Sequence, residues 1–118
     1  MEIFKAFKFD AAHRLPNVEQ GHKCFQLHGH SFSVEIHIRG TVDPYSGWVM
    51  DFADIDKAFK PLHDQLDHKY LNEIDGLDNP TSENIAKWIW KRLLLALPLS
   101  KVVVQESTES GCIYTGEE

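Results

Sequence analysis

A thiol and three imidazoles are spaced in this chain like the ligands and reactive groups of a metal site. Cys24 stands four residues before the pair in His28-Gly29-His30, and His13 lies upstream at the end of an apolar, alternating run. Catalytic zinc takes three protein ligands and leaves one position open, and neutral imidazoles suit zinc better than magnesium or calcium. The pattern predicts a zinc site at the three histidines. Cys24 is either a fourth ligand that closes the site or a reactive group beside it.

Two strand-like segments must bring these histidines together. The first alternates apolar residues of one parity that lead to His13, namely Ile3, Phe7, Phe9 and Ala11. The second alternates in the same way from His28 and His30 through Phe32, Val34, Ile36 and Ile38. Because alternate side chains of a strand share one face, we expect all three histidines on the inner side of one sheet.

Three acidic or basic side chains have the chemistry of proton transfer and of substrate recognition. Asp67 and His68 follow the first predicted helix, and a histidine with a carboxylate is the usual acid/base arrangement. The alternative is a histidine that favours the negative end of the helix dipole. We expect both to face one cleft without an easy hydrogen bond between sequence neighbours. Glu106 ends a valine-rich strand on its inward parity, where it needs a salt bridge or the paired N–H donors of a guanidine-like heterocycle.

Hydroxyl and cationic side chains complete the set of candidates. Thr81 and Ser82 stand at the start of the second predicted helix, where simple capping is the alternative to substrate binding. Arg14 and Lys23 flank the predicted metal loop and could bind phosphate groups, although solvated surface charge explains them equally well. A nearby cation would also favour the thiolate form of the cysteine. The other three histidines show no partner pattern and are predicted to lie on the surface: His22, His37 and His63.

The order of elements predicts an α+β domain over residues 1–118, with a four-stranded antiparallel sheet in the order β-β-α-α-β-β and both helices on one face. The first helix carries apolar residues at spacings of three and four from Phe52 to Leu66, with Asp51 or Asp54 as its cap. Pro61 lies inside this pattern and predicts a kink or break. The open sheet edges favour association with further copies.

Composition narrows the class of protein. The chain has 118 residues, 42% of them hydrophobic, and a net charge of −6 with no run of basic residues. A direct nucleic-acid surface is therefore not expected. No signal peptide or membrane-length apolar stretch is visible, so we expect a cytoplasmic protein with no membrane contact. Both cysteines, Cys24 and Cys112, are then predicted to be free thiols.

Five short motifs occur in the order of a known family: His13-Arg14-Leu15, Cys24-x3-His28-Gly29-His30, Leu66-Asp67-His68, Asn79-Pro80-Thr81-Ser82-Glu83 and Gln105-Glu106-Ser107. The chain resembles the 6-pyruvoyl-tetrahydropterin synthase family nearly end to end. Within it, the three-residue gap after the cysteine is typical of the bacterial branch that forms 6-carboxy-5,6,7,8-tetrahydropterin for queuosine biosynthesis. The resemblance implies a T-fold (tunnelling fold), in which trimers form a barrel and two trimers stack into a homohexamer with active sites between subunits.

The resemblance also implies a reaction and a role for each candidate residue. The three histidines would be the zinc ligands. Cys24 would be the general base, with Asp67 and His68 as its acid/base partners. Glu106 would anchor the pterin, helped by Thr81 and Ser82. The carboxy-forming branch converts 7,8-dihydroneopterin triphosphate to the 6-carboxy product, with release of acetaldehyde and triphosphate. The alternatives are pyruvoyl formation without acetaldehyde release, and a non-catalytic zinc- or pterin-binding module.

Overall fold

The computed structural model describes residues 1–117 and has the predicted α+β architecture. Its strands are β1 (Glu2–His13), β2 (His28–Arg39), β3 (Lys69–Tyr70), β4 (Leu99–Gln105) and β5 (Gly111–Tyr114), and its helices are α1 (Phe52–Leu66) and α2 (Ser82–Leu93). The strands form one sheet in the order β3-β1-β2-β4-β5. The prediction of four strands was wrong, because β3 adds a fifth that pairs in parallel with β1. Two residues are too few to show the alternation by which a strand is recognised.

The long antiparallel pair of β1 and β2 sets the position of the predicted metal ligands. Its register places His13 opposite His28 and Ala11 opposite His30. Both strands alternate between buried and more exposed residues, with Phe9 and Phe32 fully inside and stacked at 4.9 Å between ring centroids. The apolar parity of each strand therefore continues into its histidines, as the sequence predicts.

Both helices pack on the inner face of the sheet. Their buried residues join those of β1, β2 and β4 in one hydrophobic core, from Ile55, Phe59 and Leu66 on α1 to Ile85, Trp88 and Ile89 on α2. Burial of large apolar side chains stabilises this arrangement by about 1.5–3 kcal/mol per residue. The ends of the strands that carry the histidines thus project from a rigid, well-packed layer.

Both helices begin at predicted cap residues, but α1 lacks the break that was predicted inside it. Asp51 caps α1 by accepting the N–H of Ala53, and Thr81 caps α2 by accepting the N–H of Asn84. The expected break at Pro61 does not occur, since α1 is continuous from Phe52 to Leu66. Pro61 is exposed, so water can solvate the carbonyl group that loses its intrahelical donor.

The two outer strands of the sheet are short. β3 covers only Ala11 and Ala12 of β1, and β5 is four residues long. Within residues 1–117, β1 before Ala11 therefore has a neighbouring strand on one side only, and an edge of this kind favours pairing with another chain. Among the described residues, no helix combines the length and the apolar character needed to span a bilayer.

Candidate active site

Three histidines converge where β1 ends and β2 begins. His13 is fully buried, while His28 and His30 are half-buried. Within residues 1–117, the cluster of side chains able to hold a metal consists of these three, each offering one ring nitrogen within 4.8 Å of the others. A tetrahedral zinc site with Zn–N bonds of about 2.0–2.1 Å brings its nitrogens to about 3.3 Å from one another. Small side-chain movements would close the present spacing to that geometry.

Backbone carbonyl groups orient two of the three rings. The Nδ1–H of His13 donates to the carbonyl of Pro80 at 2.8 Å, and that of His28 donates to the carbonyl of Gln26 at 2.7 Å. These bonds direct the lone pair to Nε2 in each ring. The Nε2 atoms of His13 and His30 are buried without a hydrogen-bond partner. Buried polar atoms normally have a partner, so this donor set fits a metal ion.

The surroundings of the histidines favour their neutral, metal-binding form. Burial lowers the pKa of His13, and the neighbouring imidazoles of His28 and His30 lower it further against the raising effect of the Pro80 carbonyl. Burial also lowers the pKa of His30, partly offset by the Glu106 carboxylate. Metals bind the neutral ring, so these shifts reduce competition from protons.

Glu106 lies directly beyond β4, on the side of the histidines. Its Oε1 accepts a hydrogen bond from the Ser82 hydroxyl at 3.0 Å, and its Oε2 lies 3.6 Å from Nε2 of His30. An ionised carboxylate accepts up to about four hydrogen bonds, so capacity remains for the paired N–H groups of a ligand. Ser82 is buried, and its hydroxyl therefore fixes the orientation of the carboxylate.

Cys24 lies in a short 3-10 turn, Lys23–Phe25, before β2. The thiol is free and half-buried, and it lines a hollow of about 490 Å³ with Lys23, His28, His30, Glu106 and three further residues, Gly29, Ser107 and Ser110. It is not part of the 4.8 Å cluster of the three histidines. The thiol and two of the candidate metal ligands, His28 and His30, therefore border the same space.

Asp67 and His68 form a hydrogen-bonded pair, which corrects the expectation that sequence neighbours cannot easily do so. Asp67 Oδ2 accepts from His68 Nδ1 at 2.9 Å. His68 has a left-handed backbone with a φ of 59°, which turns both side chains to the same side. Asp10 holds this turn, because its backbone N–H donates to Asp67 Oδ1 and its carbonyl accepts the N–H of His68.

The pair has shifted protonation equilibria. The N–H of Asp10 and then the ring of His68 lower the pKa of Asp67. The hydrogen bond and charge of Asp67 raise the pKa of the exposed His68. The pair therefore holds an imidazolium next to a carboxylate over a wider pH range than isolated side chains do. It can act as a proton donor close to neutral pH.

The thiol and the Asp67–His68 pair border different hollows of one chain. His68 lines an open hollow of about 680 Å³ with residues such as Asp10, Ser31 and Lys69. Cys24 lines the other, and Gly29 and His30 border both. The structure therefore brings all predicted metal and acid/base residues to one end of the sheet, but in two separate concavities.

Two predicted substrate contacts are engaged elsewhere in this chain. The guanidinium of Arg14 covers the Phe25 ring at 4.6 Å, and its Nε donates to the Phe25 carbonyl at 3.3 Å. The hydroxyl of Thr81 accepts the N–H of Asn84 at the start of α2. Lys23, by contrast, lines the hollow of Cys24.

The other histidines have partners that sequence patterns did not indicate. His37 is only 12% exposed, binds Glu35 at 2.8 Å and stacks on Phe4, so its prediction as a surface residue was wrong. His22 is exposed as predicted, and it accepts the N–H of Cys24. His63 is half-buried and contacts the Lys8 carbonyl at 2.9 Å. None of these three belongs to the metal-ligating cluster among residues 1–117.

Sequence reasoning also missed supporting residues of the site. The carbonyl of Pro80 and the backbone of Asp10 act through main-chain atoms, which no side-chain pattern reveals. Asn72 binds the backbone of Arg14 on both sides. The motif around Pro80 was a signal that this loop matters, but not that its carbonyl orients His13.

Comparison with known proteins assigns the chain to a family. A family model described as 6-pyruvoyl tetrahydropterin synthase matches residues 2–117. The chain belongs to the 6-pyruvoyl tetrahydropterin synthase family. A 6-carboxy-5,6,7,8-tetrahydropterin synthase of Synechocystis sp. is 43% identical over 95% of this chain and 91% of its own length. A dihydroneopterin monophosphate aldolase of Pyrococcus furiosus is 40% identical over 92% of this chain and 91% of its own.

The solved structures of the family have the same fold. The 6-pyruvoyl tetrahydropterin synthase of Caenorhabditis elegans superposes with a TM-score of 0.90 at 28% identity, and the match covers 99% of this chain and 96% of that one. The resemblance found in the sequence motifs is thereby confirmed, as is the T-fold architecture. Members of this family carry the names of different reactions.

Proposed function

We propose that this chain is a zinc-dependent lyase that converts 7,8-dihydroneopterin triphosphate and water into 6-carboxy-5,6,7,8-tetrahydropterin, acetaldehyde and triphosphate. This is an early step in 7-deazaguanine and queuosine biosynthesis. The observation that carries the proposal is the group of three histidines beside a separate thiol, in which His13 and His30 each have a buried ring nitrogen without a hydrogen-bond partner. The 43% identical relative named for the carboxy product supports this choice of reaction.

Zinc is the metal that best suits this donor set. A donor set of three imidazoles without a carboxylate ligand favours zinc over magnesium or calcium. His13, His28 and His30 would hold the ion with its fourth position open. When bound, zinc supplies Lewis acidity that makes substrate hydroxyl groups more acidic.

Of the remaining residues, Glu106 would bind the pterin, and Cys24 and His68 would transfer protons. Glu106, held by Ser82, would accept the two N–H donors of the guanidine-like edge of the pterin. Cys24 as thiolate would remove a proton from the side chain next to the ring. His68, kept protonated by Asp67, would donate and recover protons as the triphosphate leaves and the carbon–carbon bond breaks. Each such transfer typically contributes about 10²–10⁴-fold.

Two further side chains, Lys23 and Thr81, are candidates for contact with the substrate. Lys23 lines the hollow of Cys24 and is placed to meet an anionic group. Thr81 stands beside Ser82, and its hydroxyl can still donate its hydrogen while it accepts at the helix cap. Both remain predictions for substrate binding, and neither belongs to the metal-ligating cluster of the described residues.

We propose further that the working form is a homohexamer in which one subunit supplies Cys24 and the histidines while another supplies Asp67 and His68. The separate hollows of the two groups support this division. The uncovered edge of β1 and the short strand β5 provide surfaces for pairing. The negative net charge fits a small-molecule substrate and no nucleic-acid partner.

A second candidate reaction is carbon–carbon cleavage of the aldolase type. It is favoured by the 40% identity to the relative named dihydroneopterin monophosphate aldolase. An aldolase would split the side chain of dihydroneopterin monophosphate without forming a carboxyl group or acetaldehyde. The same thiol, histidines and Asp67–His68 pair could serve that chemistry, so product analysis is decisive.

The first experiment is a product assay of the zinc-loaded protein. The substrate is 7,8-dihydroneopterin triphosphate, with the monophosphate in parallel, and mass spectrometry identifies the products. Acetaldehyde and a carboxy-tetrahydropterin are expected from the triphosphate. Cys24→Ala should lose at least about 100-fold in kcat, whereas Cys112→Ser, the change at the other free thiol, should retain activity.

Other outcomes assign other functions. A pyruvoyl product without acetaldehyde identifies the sister synthase, and cleavage of only the monophosphate identifies the aldolase. No turnover by fully metallated wild-type protein with either compound indicates a non-catalytic zinc- or pterin-binding module. In that case Cys24→Ala should weaken zinc binding, because the thiol then serves as the closing ligand.

A further inference from the structure

A chain of contacts runs from Asn72 through Arg14 to the turn that carries Cys24. The Oδ1 of Asn72 accepts the backbone N–H of Arg14 at 3.0 Å, and its Nδ2 donates to the Arg14 carbonyl at 2.9 Å. The Arg14 guanidinium covers Phe25 at 4.6 Å and donates to its carbonyl at 3.3 Å. The next residue, Leu15, donates its N–H to the Cys24 carbonyl at 2.8 Å.

We propose that Arg14 and Asn72 are positioning residues that hold the Cys24 turn in place for catalysis, and that Arg14 is not a phosphate ligand. The proposal rests on the proposed function for the role of Cys24. It replaces the sequence-based interpretation of Arg14 as part of a triphosphate site.

The Cys24 turn has little packing of its own. It spans three residues, Lys23–Phe25, contains no buried residue, and begins at the exposed His22. So short a segment opens easily unless other parts of the chain hold it. The contacts from Arg14 and Leu15 attach it to the end of β1, directly after His13.

Placement of the thiol matters because a base acts only within hydrogen-bond distance of the proton it removes. Misplacement of a reacting group by about 1 Å can cost about 100-fold in rate. The contact chain thus connects the metal-ligand strand, the Cys24 turn and the 3-10 turn at Leu71–Glu73, which contains Asn72. Its geometry requires a planar guanidinium that stacks and donates at once, which lysine cannot supply.

The chain offers a matched arginine as control. The guanidinium carbon of Arg92 lies 3.8 Å from the Trp88 ring, and its Nη1 donates to the Trp88 carbonyl at 3.2 Å. It has the same two kinds of contact as Arg14, but on α2 and outside the hollow of Cys24. Arg92→Lys therefore reports what such a substitution does to stability alone.

The test compares Arg14→Lys, Asn72→Ala and Arg92→Lys in zinc-loaded protein by hydrogen exchange and steady-state kinetics. Phe25 and Gln26 donate their amides within the turn, and these amides should exchange about 10-fold faster in the first two variants. Their kcat should fall about 10-fold while KM for the triphosphate substrate stays within about twofold. Arg92→Lys should leave exchange in the turn and kcat unchanged.

Two results would overturn the proposal. One is unchanged exchange of the turn in both Arg14→Lys and Asn72→Ala. The other is a raised KM with an unchanged kcat in Asn72→Ala and Arg14→Lys, since that pattern marks a substrate-binding residue. Asn72→Asp keeps the acceptor for the Arg14 N–H but loses the donor, so an intermediate exchange rate supports the contact chain if Asn72→Ala folds poorly. If wild-type protein forms no product, the proposed function fails, while exchange still decides whether these residues hold the turn.

Discussion

At the scale of single residues, the site is defined by which polar atoms are satisfied and which are left free. His13 and His28 each donate a hydrogen bond from Nδ1 to a backbone carbonyl, which leaves Nε2 able to bind a metal. Glu106 is fixed by a buried serine hydroxyl. Asp67 and His68 satisfy each other. His13, His28 and Glu106 therefore have their orientation set by neighbours that do not themselves react.

The free nitrogens lead to a prediction about metal content. His28→Ala removes one of three ligands and should lower the bound zinc from one per chain to well under half after dialysis, because two imidazoles bind weakly. Elemental analysis measures the ratio. His37→Ala, which removes a histidine bound to Glu35 instead, should keep full zinc content. Full retention by His28→Ala would contradict the three-histidine site.

A second residue-scale prediction concerns the titration of His68. Asp67→Asn removes the carboxylate that raises the pKa of His68, so this pKa should fall towards its ordinary value of 6.5. NMR titration of the imidazole protons measures the change, with His68→Gln to assign the signal. Asp54→Asn, at an exposed position in the first turn of α1, should leave the titration unchanged. A His68 pKa that does not move in Asp67→Asn would contradict the hydrogen-bonded pair.

The same pair fixes the sign of a pH dependence of stability. His68 has a raised pKa, so its contribution is complete below 6.5 and is lost as pH rises through the folded value. Asp67 has a lowered pKa, so its contribution is present above 3.8 and is lost as pH falls through the folded value. The stability difference between wild type and Asp67→Asn should therefore be largest between those two pH values.

At the scale of elements, the strands were predictable where a long alternation exists. The alternation of inward-facing residues in β1 and β2 continues from Phe9 and Phe32 to the three histidines. Their convergence could therefore be predicted from this alternation alone. β3 has two residues and leaves no such signal. Continuity of α1 through Pro61 depends on the proline facing solvent, where water can solvate the carbonyl group that loses its donor. The spacing of the apolar residues indicates that side of the helix but does not establish that the helix continues.

Contacts made by turns and loops were not predictable. The bond between Asp67 and His68 depends on a left-handed backbone at a residue other than glycine. Arg14 contacts Phe25 across two loops. Hydrophobic periodicity does not indicate how close two loops lie in the fold. In both cases the decisive geometry comes from backbone dihedral angles and tertiary packing, which residue types do not specify.

Pro61 provides a prediction at this scale. It interrupts one hydrogen bond in α1 without breaking the helix, and proline is poorly suited to a helix interior compared with alanine. Pro61→Ala should therefore raise the free energy of unfolding by about 1 kcal/mol, after allowance for the greater freedom of the unfolded chain. Thermal unfolding at fixed zinc and protein concentration measures it, and zinc content should stay the same. A lower melting temperature would show that Pro61 is needed for the path of α1.

At the scale of the whole molecule, the arrangement of sheet edges and hollows supports the proposed hexamer. The outer strands of the sheet are short, and β3 pairs with only Ala11 and Ala12 of β1. The acid/base pair borders a different hollow from the thiol. In the proposed hexamer, symmetric pairing of sheet edges would bring the hollows of different chains together.

Mixing of two inactive variants tests this assembly directly. Cys24→Ala and His68→Ala should each lose activity, yet co-refolded mixtures in equal amounts should recover about a quarter of wild-type activity. In that mixture, about a quarter of the sites between subunits combine an intact Cys24 with an intact His68. Each variant refolded alone is the control, and sedimentation velocity confirms that the mixed species is oligomeric. If both residues of a site came from the same chain, every site would contain one defect. The mixture would then stay as inactive as its components, which would disprove the shared site.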